Sequence, residues 1–245
     1  MITGPAETLD AILGGTISIV QPAKGYRFAV DSILLGRFAQ PAHGARVLEL
    51  GAGSGVVAVM LAALRSPREV AAVEIQPQLA AMISRNASLN GIARLTAICA
   101  DIRERNVPGL APGSFDYVVA NPPYRSAGSG RESPLPGRRI ARGADGAALH
   151  DFIAAAARYA KNGGKLALVF TAARTAELIT ELKGKRLEPK RIRFVHPLPG
   201  RPATIVLMEA RKGGRVEVKI EPPLLLYDRP GAYSNEARDL LGRAK

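Results

Sequence analysis

The sequence predicts an α/β fold in which helices cover both faces of a mostly parallel sheet. From residue 46 onward, short apolar runs alternate with segments of helical periodicity, which is typical of right-handed βαβ units. The runs are continuously apolar, as in strands that are buried on both faces. The last two long runs are joined only by "PLPGRP", which is too short for a crossover helix, so this pair is expected to be antiparallel.

The N-terminal residues 1–45 are predicted to form a cap packed on the core. We expect a helix over residues 5–13, followed by a β-hairpin within residues 15–28, where apolar residues alternate around a Pro/Gly turn. A second helix is expected over residues 31–40, with Asp31 as its N-cap.

Residues 46–211 form the predicted core, and residues 212–245 form a C-terminal extension with one more strand and a short helix, within a single domain overall. The predicted core strands are 46–50, 70–74, 95–100, 115–120, 165–170, 190–196 and 203–210. The predicted core helices are 55–64, 77–89, 147–160 and 172–183. Gly91 lies where a helix commonly ends in a left-handed residue.

Length and composition narrow the functional classes. A chain of 245 residues that is 47% hydrophobic can form one large α/β domain with additions. No apolar run approaches the roughly 20 residues that span a bilayer, and the N-terminus resembles no signal peptide. Cys99 is the only cysteine, which excludes an intramolecular disulfide and a cysteine-based zinc cluster. A cytoplasmic location is the simplest expectation, and no metal is predicted.

The charge predicts a polyanionic partner, most commonly a nucleic acid. Lys and Arg outnumber Asp and Glu by 34 to 21, a net charge of +13. The excess is concentrated in residues 125–142 and 183–215 rather than spread evenly, although a uniformly Arg-rich proteome is an alternative source of such a charge. The predicted phosphate contacts are Arg125, Arg131, Arg138, Arg139, Arg142, Lys190, Arg191 and Arg193.

The stretch "VLELGAGSG" places three glycines between the first core strand and the next helix. Gly51, Gly53 and Gly55 allow a tight turn and let backbone N–H groups approach a ligand. Their G-x-G-x-G spacing differs from the G-x-G-x-x-G of dinucleotide enzymes. The turn therefore predicts a binding site for a different nucleotide-like cofactor.

Three acidic residues accompany this turn. Glu49 precedes it, Glu74 ends the second core strand and Asp101 follows the third. Open α/β sheets bind ligands at the carboxyl ends of their strands, where an acid such as Glu74 can accept hydrogen bonds from both ribose hydroxyls. Asp101 can contact the base of the cofactor, or it can instead cap a turn.

The runs "VLELGAGSG", "AVEIQPQLAAMISRNASLNG", "CADI" and "FDYVVANPPY" resemble, in this order, the class I S-adenosylmethionine-dependent methyltransferases. The resemblance spans residues 25–210 and implies a Rossmann-like fold with a seven-stranded sheet whose last strand is antiparallel. It also implies S-adenosylmethionine as the cofactor, with the three glycines as its loop. Glu74 is then the ribose ligand and Asp101 the adenine contact, while Glu49 favours the cationic sulfonium.

The motif Asn-Pro-Pro-Tyr follows the fourth core strand. In the same resemblance, it marks enzymes that methylate a planar nitrogen. The lone pair of such a nitrogen is delocalised, and the carbonyls of Asn121 and Pro122 can accept both of its protons. The two prolines make the turn rigid, and Tyr124 can stack on a flipped-out base. No dedicated general base is needed, because the product ammonium loses its proton readily.

Within this class, the chain most resembles the bacterial N6-methyltransferases that modify the adenosine beside the anticodon of valine tRNA. The resemblance rests on "KGYRFAVDSILLGRF", "IARGAD" and "PPLLLYDRPGAYSNEARDLL". It implies that Tyr26, Phe28 and Asp31 belong to a segment that closes over the cofactor. Relatives commonly carry an acid soon after the Ala-Arg pair, whereas "ARGADG" leaves only Asp145. The predicted function is therefore N6-methylation of an adenine in RNA, with tRNA preferred.

Other acceptors remain alternatives. Protein-glutamine methyltransferases of release factors share the motif but have a longer helical region before the cofactor loop than the 46 residues found here. Guanine-N2 methyltransferases of ribosomal RNA share the planar-nitrogen chemistry. A DNA adenine methyltransferase usually needs a target-recognition domain, and a non-catalytic RNA-binding protein would not need the intact site. The sequence leaves the oligomeric state open.

Overall fold

Strands and helices alternate through the described residues, which are 3–4, 6–25, 27–123 and 148–242 of a computed structural model. The strands are β1 (Glu7–Ile12), β2 (Ile17–Pro22), β3 (Arg46–Leu50), β4 (Glu69–Glu74), β5 (Leu95–Cys99), β6 (Phe115–Ala120), β7 (Ala160–Thr171), β8 (Leu187–His196), β9 (Ile205–Lys212), β10 (Lys219–Ile220), β11 (Leu224–Leu225), β12 (Tyr227–Arg229) and β13 (Ala232–Tyr233). The helices are α1 (Val30–Phe38), α2 (Val56–Leu64), α3 (Pro77–Leu89), α4 (Leu149–Tyr159), α5 (Thr175–Gly184) and α6 (Asn235–Leu241). Every predicted core strand and core helix is present.

The central sheet has the strand order β10-β8-β9-β7-β6-β3-β4-β5, and β11 also pairs with β8. Strands β3 to β7 are mutually parallel, whereas β9 is antiparallel to both of its neighbours, β7 and β8. This is the predicted fold class. Within the described ranges, the sheet has nine strands instead of the expected seven, because the two-residue strands β10 and β11 add to β8.

Both faces of the sheet are covered, which explains why its strands are continuously apolar. Helices α1, α2, α3 and α6 contribute to the hydrophobic cluster on one face, and α4 and α5 contribute to the cluster on the other. Along β3, Val47 belongs to the first cluster and Leu48 to the second. Among the described residues, no helix is long and apolar enough to cross a bilayer.

The predicted helix over residues 5–13 is wrong, because these residues form β1, which pairs antiparallel with β2. Leu13, Gly14 and Gly15 have positive φ angles and turn the chain back on itself, so that Ile12 faces Ile17. The hairpin therefore comprises residues 7–22 and does not lie within 15–28. Strand pairing here outweighs the local preference for a helix.

Helix α1 begins one residue earlier than predicted, with Ala29 as its N-cap. Asp31 lies in the first turn, so the prediction that Asp31 caps this helix is also wrong. An acidic side chain in the first turn still interacts favourably with the positive end of the helix dipole.

The hairpin is fastened to α3 by two asparagines. Asn86 is fully buried: its Oδ1 accepts a hydrogen bond from the Val20 N–H (2.7 Å), and its Nδ2 donates to the carbonyls of Val20 (2.9 Å) and Ser54 (2.8 Å). One turn later, Asn90 makes the same pair of bonds with the backbone of Ser18. Because Ser54 belongs to the glycine turn, Asn86 connects the hairpin directly to that turn.

The C-terminal extension packs against α1. Arg37 Nε donates to the carbonyl of Leu240 (2.9 Å), and Leu224, Ala237 and Leu241 join the hydrophobic cluster that contains α1 and the hairpin. The cap, the core and the extension thus share one apolar cluster.

Replacing Asn86 by alanine is expected to lower the free energy of unfolding by about 3 kcal/mol, because the buried N–H of Val20 and two carbonyls lose their partner. Chemical denaturation monitored by circular dichroism measures this change. Ser84→Ala is the matched control: Ser84 is exposed on the same helix, so a loss below about 0.5 kcal/mol is expected. Equal losses in the two variants would contradict a specific role for Asn86.

Candidate active site

The predicted site residues follow the carboxyl ends of four neighbouring strands. Leu50, the last residue of β3, lies between Ala120 of β6 and Val73 of β4 in the sheet register. Glu74 lies opposite Cys99 of β5. The structure therefore brings the glycine turn, Glu74, Asp101 and Asn121 to one edge of the sheet, as an open α/β ligand site requires.

All three glycines of the turn adopt left-handed conformations, with φ of +65° at Gly51, +58° at Gly53 and +83° at Gly55. A Cβ on Gly51 would lie 2.8 Å from the ring of Phe152, and one on Gly55 would lie 3.0 Å from Ile83. Two of the glycines thus also let α4 and α3 pack directly against the turn. The sequence analysis missed Phe152, because only the tertiary structure brings it to Gly51.

The turn is tied to the end of β4 by Glu74. Its Oε2 accepts a hydrogen bond from the Gly53 N–H and its Oε1 accepts one from the Gln76 N–H, each at 2.9 Å. The carboxylate is buried, and burial raises its pKa. Each carboxylate oxygen has a further lone pair, so Glu74 can hold the turn and still accept hydrogen bonds from ribose hydroxyls.

Glu49 lies beneath the first turn of α2, where its Oε2 accepts a hydrogen bond from the Ala58 N–H (2.7 Å). Burial, with a smaller contribution from the nearby charge of Glu74, raises the pKa of Glu49 to about 8, although the hydrogen bond from the Ala58 N–H lowers it. Glu49 therefore anchors the helix that follows the glycine turn. Its contribution to the sulfonium environment stays a prediction.

Asp101 caps a turn, which is the alternative that the sequence left open. Its Oδ1 accepts a hydrogen bond from the Arg103 N–H (2.8 Å), and its Oδ2 lies 2.6 Å from Nη2 of the same arginine. These hydrogen bonds from Arg103 lower the pKa of Asp101. The carboxylate is thus ionised and held at the end of β5. The adenine contact stays a prediction.

Asn121 is oriented by a residue that the sequence analysis missed. Its Nδ2 donates to Oγ of Ser32 (3.2 Å), a buried residue of α1, and Pro122 is buried beside it. With the NH₂ group bound to Ser32, the amide presents Oδ1 in another direction, where it can accept a proton. In the sequence, the only sign of this role was that Ser32 places a hydroxyl group at the start of the otherwise apolar run "SILL".

A second contact connects α1 to β6. The N–H of Gln40, just beyond the end of α1, donates to the hydroxyl of Tyr117 (3.1 Å), which itself donates to Oε2 of Glu209 (2.5 Å). Lys165 Nζ pairs with the other oxygen of Glu209 at 3.0 Å. Burial and the charge of Glu209 raise the pKa of Tyr117 well above its usual value, so it stays protonated as the donor. Hydrogen bonds near both ends of α1 therefore connect this helix to β6 and to Asn121, which follows β6.

Three residues were predicted to belong to a segment that closes over the cofactor. Of these, Phe28 packs against the hydrophobic cluster that contains α1, and its N–H donates to Oε1 of the buried Gln21 (3.0 Å). Asp31 is half-buried in the first turn of α1. Their contact with the cofactor stays a prediction. The predicted residues outside the described part of the chain are Tyr26, Tyr124, Arg125, Arg131, Arg138, Arg139 and Arg142.

The basic residues predicted on β8 bind other parts of this chain. Arg191 Nε lies 2.9 Å from Oε1 of Glu221, and Arg193 Nη2 lies 2.5 Å from Oε1 of Glu236. Both guanidinium groups are largely buried and hold the C-terminal extension. Their contact with phosphates stays a prediction. Lys190 Nζ donates to a backbone carbonyl of the segment after β9.

The arrangement suits a nucleotide-like cation. The glycine turn offers backbone room, and the two buried carboxyl groups of Glu49 and Glu74 offer hydrogen-bond acceptors beside it. No group of three or more candidate metal ligands is found within the described ranges. The chemistry of the site is thus that of hydrogen-bond acceptors grouped around a cofactor crevice.

Comparison with known proteins agrees with this chemistry. Residues 29–186 match the family model of the methyltransferase small domain. The tRNA1(Val) (adenine(37)-N6)-methyltransferase of Aeromonas hydrophila is 30% identical over 213 residues, covering 85% of this chain and 86% of that protein. The enzyme of the same description from Porphyromonas gingivalis W83 is 28% identical, covering 89% and 88%.

Solved structures show the same fold. A predicted O-methyltransferase, protein Atu636 from Agrobacterium tumefaciens, has a TM-score of 0.70 and 28% identity, covering 87% of this chain and 97% of that one. TYW2 of M. jannaschii in complex with AdoMet has a TM-score of 0.57 and 17% identity, covering 86% and 88%. The chain belongs to the methyltransferase small domain family. The predicted fold class, the enzyme class and S-adenosylmethionine as cofactor are confirmed.

Replacing Ser32 by alanine is expected to lower kcat for methyl transfer roughly tenfold, because the amide of Asn121 loses a hydrogen bond worth about 1 kcal/mol that fixes its orientation. The affinity for S-adenosylmethionine, measured by calorimetry, should not change. Ile33→Val, a buried change on the same helix, is the matched control for packing effects. A comparable loss of kcat in that variant would contradict an orienting role of Ser32.

Glu49 is expected to make the protein less stable as the pH rises from 4.5 to about 8, the interval between its ordinary and its raised pKa. In that interval the unfolded chain releases a proton that the folded chain retains, so unfolding becomes more favourable with pH. The slope attributable to Glu49 is roughly 1 kcal/mol per pH unit. Glu49→Gln keeps an acceptor for the Ala58 N–H and should flatten the slope, as measured by denaturant unfolding at several pH values; an unchanged slope would contradict this.

Proposed function

We propose that this enzyme transfers the methyl group of S-adenosylmethionine to N6 of an adenine in tRNA, namely adenine 37 of valine tRNA. The observation that carries the proposal is the position of Asn121, oriented by Ser32 next to the glycine turn. The two bacterial relatives, which align with most of this chain, are described as acting on adenine 37 of valine tRNA, and this supports the choice of nucleoside and of RNA.

The chemistry of the acceptor explains these residues. An exocyclic amine is a weak nucleophile because its lone pair is delocalised into the ring. Oδ1 of Asn121 and the carbonyl of Pro122 can each accept a hydrogen bond from one of its two N–H groups, which concentrates the lone pair on nitrogen. Since both groups belong to a rigid Asn-Pro-Pro turn at a strand end, they hold the amine in one orientation.

The remaining site residues bind and position. S-adenosylmethionine, when bound, supplies an electrophilic methyl group. Glu74 would hold the ribose hydroxyls of the cofactor, and the glycine turn would leave room for the cofactor beside its backbone. Asn121 and Pro122 hold the acceptor amine, whose product loses its proton to solvent without a dedicated base. Catalysis then rests mainly on positioning, which can contribute several kcal/mol to a displacement reaction.

The net charge of +13 supports an RNA substrate over a protein. Arg201 is exposed in the loop after β8, whose carboxyl end lies at the same sheet edge as Asn121. Phosphate contacts by Arg201 and by the arginines of residues 125–142 are therefore part of the proposal, as is a cytoplasmic location, where tRNA is modified. No observation favours the protein-glutamine or guanine-N2 alternatives.

One similar structure is described as a predicted O-methyltransferase, so a hydroxyl group is a second candidate for the methyl acceptor. A hydroxyl carries one proton and is usually activated by a base. The Asn-Pro-Pro turn instead offers two carbonyl acceptors, which match the two protons of an amine. The amine acceptor is therefore favoured.

Asn121→Ala is expected to reduce methylation by about 100-fold or more, because the amine loses its orienting acceptor. The assay incubates the protein with labelled S-adenosylmethionine and unmodified valine tRNA, followed by mass spectrometry of the nucleosides. A transcript with guanosine at position 37 is the substrate control. Asn106→Ala, an exposed asparagine beyond β5, is the protein control, and cofactor affinity should be equal in all variants.

N6-methyladenosine that appears with adenosine 37 and not with guanosine 37 would support the proposal. N2-methylguanosine, or methylglutamine when a release factor is offered, would replace it with one of the alternatives. Undiminished turnover of the Asn121→Ala variant would contradict the role of Asn121.

A further inference from the structure

A short exposed apolar row lies at the edge of the central sheet. Val216, Val218 and Ile220 are 81%, 44% and 57% exposed. They are three of the five large hydrophobic residues that are exposed in the described part of the chain. The two residues between them are charged, so the segment alternates apolar and charged side chains like a strand with two different faces. Adjacent exposed apolar side chains of this kind often mark an interaction surface.

The backbone of this segment is also open on one side. Among the described residues, strand β10 pairs only with β8 and is the outermost strand of the sheet order. The Glu221 N–H donates to the carbonyl of Ile192 (2.8 Å). Because hydrogen-bonding direction alternates along a strand, the N–H and C=O groups of Ile220 point away from β8. Residues 216–218 precede β10 and lie outside any strand of this copy. An edge of this kind can accept another strand.

The charges of this segment are complementary to those of a second, antiparallel copy of the same segment. It reads "RVEVKIE" from residue 215 to 221, with charges that alternate from positive to negative around Val218. If two copies pair antiparallel around a two-fold axis at Val218, Glu217 of one copy lies opposite Lys219 of the other, and Val216 lies opposite Ile220. Moving the axis by one residue places Lys219 opposite Lys219 or Glu217 opposite Glu217, which repel.

We propose that this edge pairs with a second copy of the same chain, forming a symmetric dimer through antiparallel strands centred on Val218. The two-fold axis makes the contact isologous, so it closes at two copies. Pro222 and Pro223 follow the segment and lack N–H groups, which keeps the paired region short. Glu217 and Lys219 are both exposed and therefore accessible to a partner.

The dimer leaves the active site accessible. Strand β10 is the first in the sheet order, whereas β6 and β3, which precede Asn121 and the glycine turn, lie in the middle of the sheet, separated from β10 by β8, β9 and β7. The paired segment comprises about five residues on each copy, so it buries less area than a standard interface and the dimer is expected to be weak, with a dissociation constant in the micromolar range.

Sedimentation velocity of the full-length protein over a range of concentrations tests the proposal. The wild type is expected to shift from monomer to dimer as its concentration rises toward about 200 µM. Glu217→Lys places lysines opposite each other at two symmetric positions and should raise the dissociation constant at least about tenfold. Adding Lys219→Glu to the same chain restores opposite charges in the reversed order, so the double variant should dimerise like the wild type.

Glu104→Lys, an exposed charge reversal near the other end of the sheet, is the control and should leave the dimer unchanged. A wild type that stays monomeric at every concentration would overturn the proposal. So would a Glu217→Lys variant that dimerises as well as the wild type, or a double variant that fails to recover, since non-specific apolar association would not depend on the charge order. Circular dichroism confirms that each variant is folded. The result is independent of the methylation assay, because no nucleic acid is present.

Discussion

The pairing of β3 with β6 is the constraint on which the site depends. These strands lie far apart in the sequence, and their register places Leu50 beside Ala120. The residue that follows each strand therefore begins a segment of the candidate site: Gly51 opens the glycine turn and Asn121 opens the Asn-Pro-Pro turn. Because both strands are parallel and buried on both faces, neither can slip without exposing apolar side chains, and the two segments stay together.

Around this pair, buried polar side chains link the functional segments to the scaffold. Glu74 holds the glycine turn, Asn86 joins that turn to the N-terminal hairpin, and Ser32 orients Asn121. Each of these side chains is buried, and leaving its polar atoms without a hydrogen-bond partner would lower the stability of the fold. The hydrogen bonds therefore define the positions of the segments as well as adding stability. Parts of the cap that precede the glycine turn in sequence thus belong to the active site in space.

The fold and the cofactor side of the site were largely predictable. Continuous apolar runs and helical periodicity place all core elements, since burial on both sheet faces leaves a direct trace in the sequence. The N-terminal hairpin was predicted with the wrong bounds, and its first strand was predicted as a helix, because these strands are stabilised by each other and by Asn86 and Asn90, contacts that no local pattern contains. Arg191 was assigned to phosphate on the basis of charge, yet in the fold it faces the carboxylate of Glu221.

The sequence by itself determined which chemistry is present: a glycine turn, acids at strand ends and a rigid Asn-Pro-Pro turn, all of which are local patterns of adjacent residues. Only the tertiary structure decided how these groups act together. The contact between Ser32 and Asn121 joins residues 89 positions apart, and Phe152 reaches Gly51 from another helix. Such contacts arise because separate elements pack against one sheet. The residues that meet in this way are distant in the sequence, so no periodic pattern of the sequence predicts them.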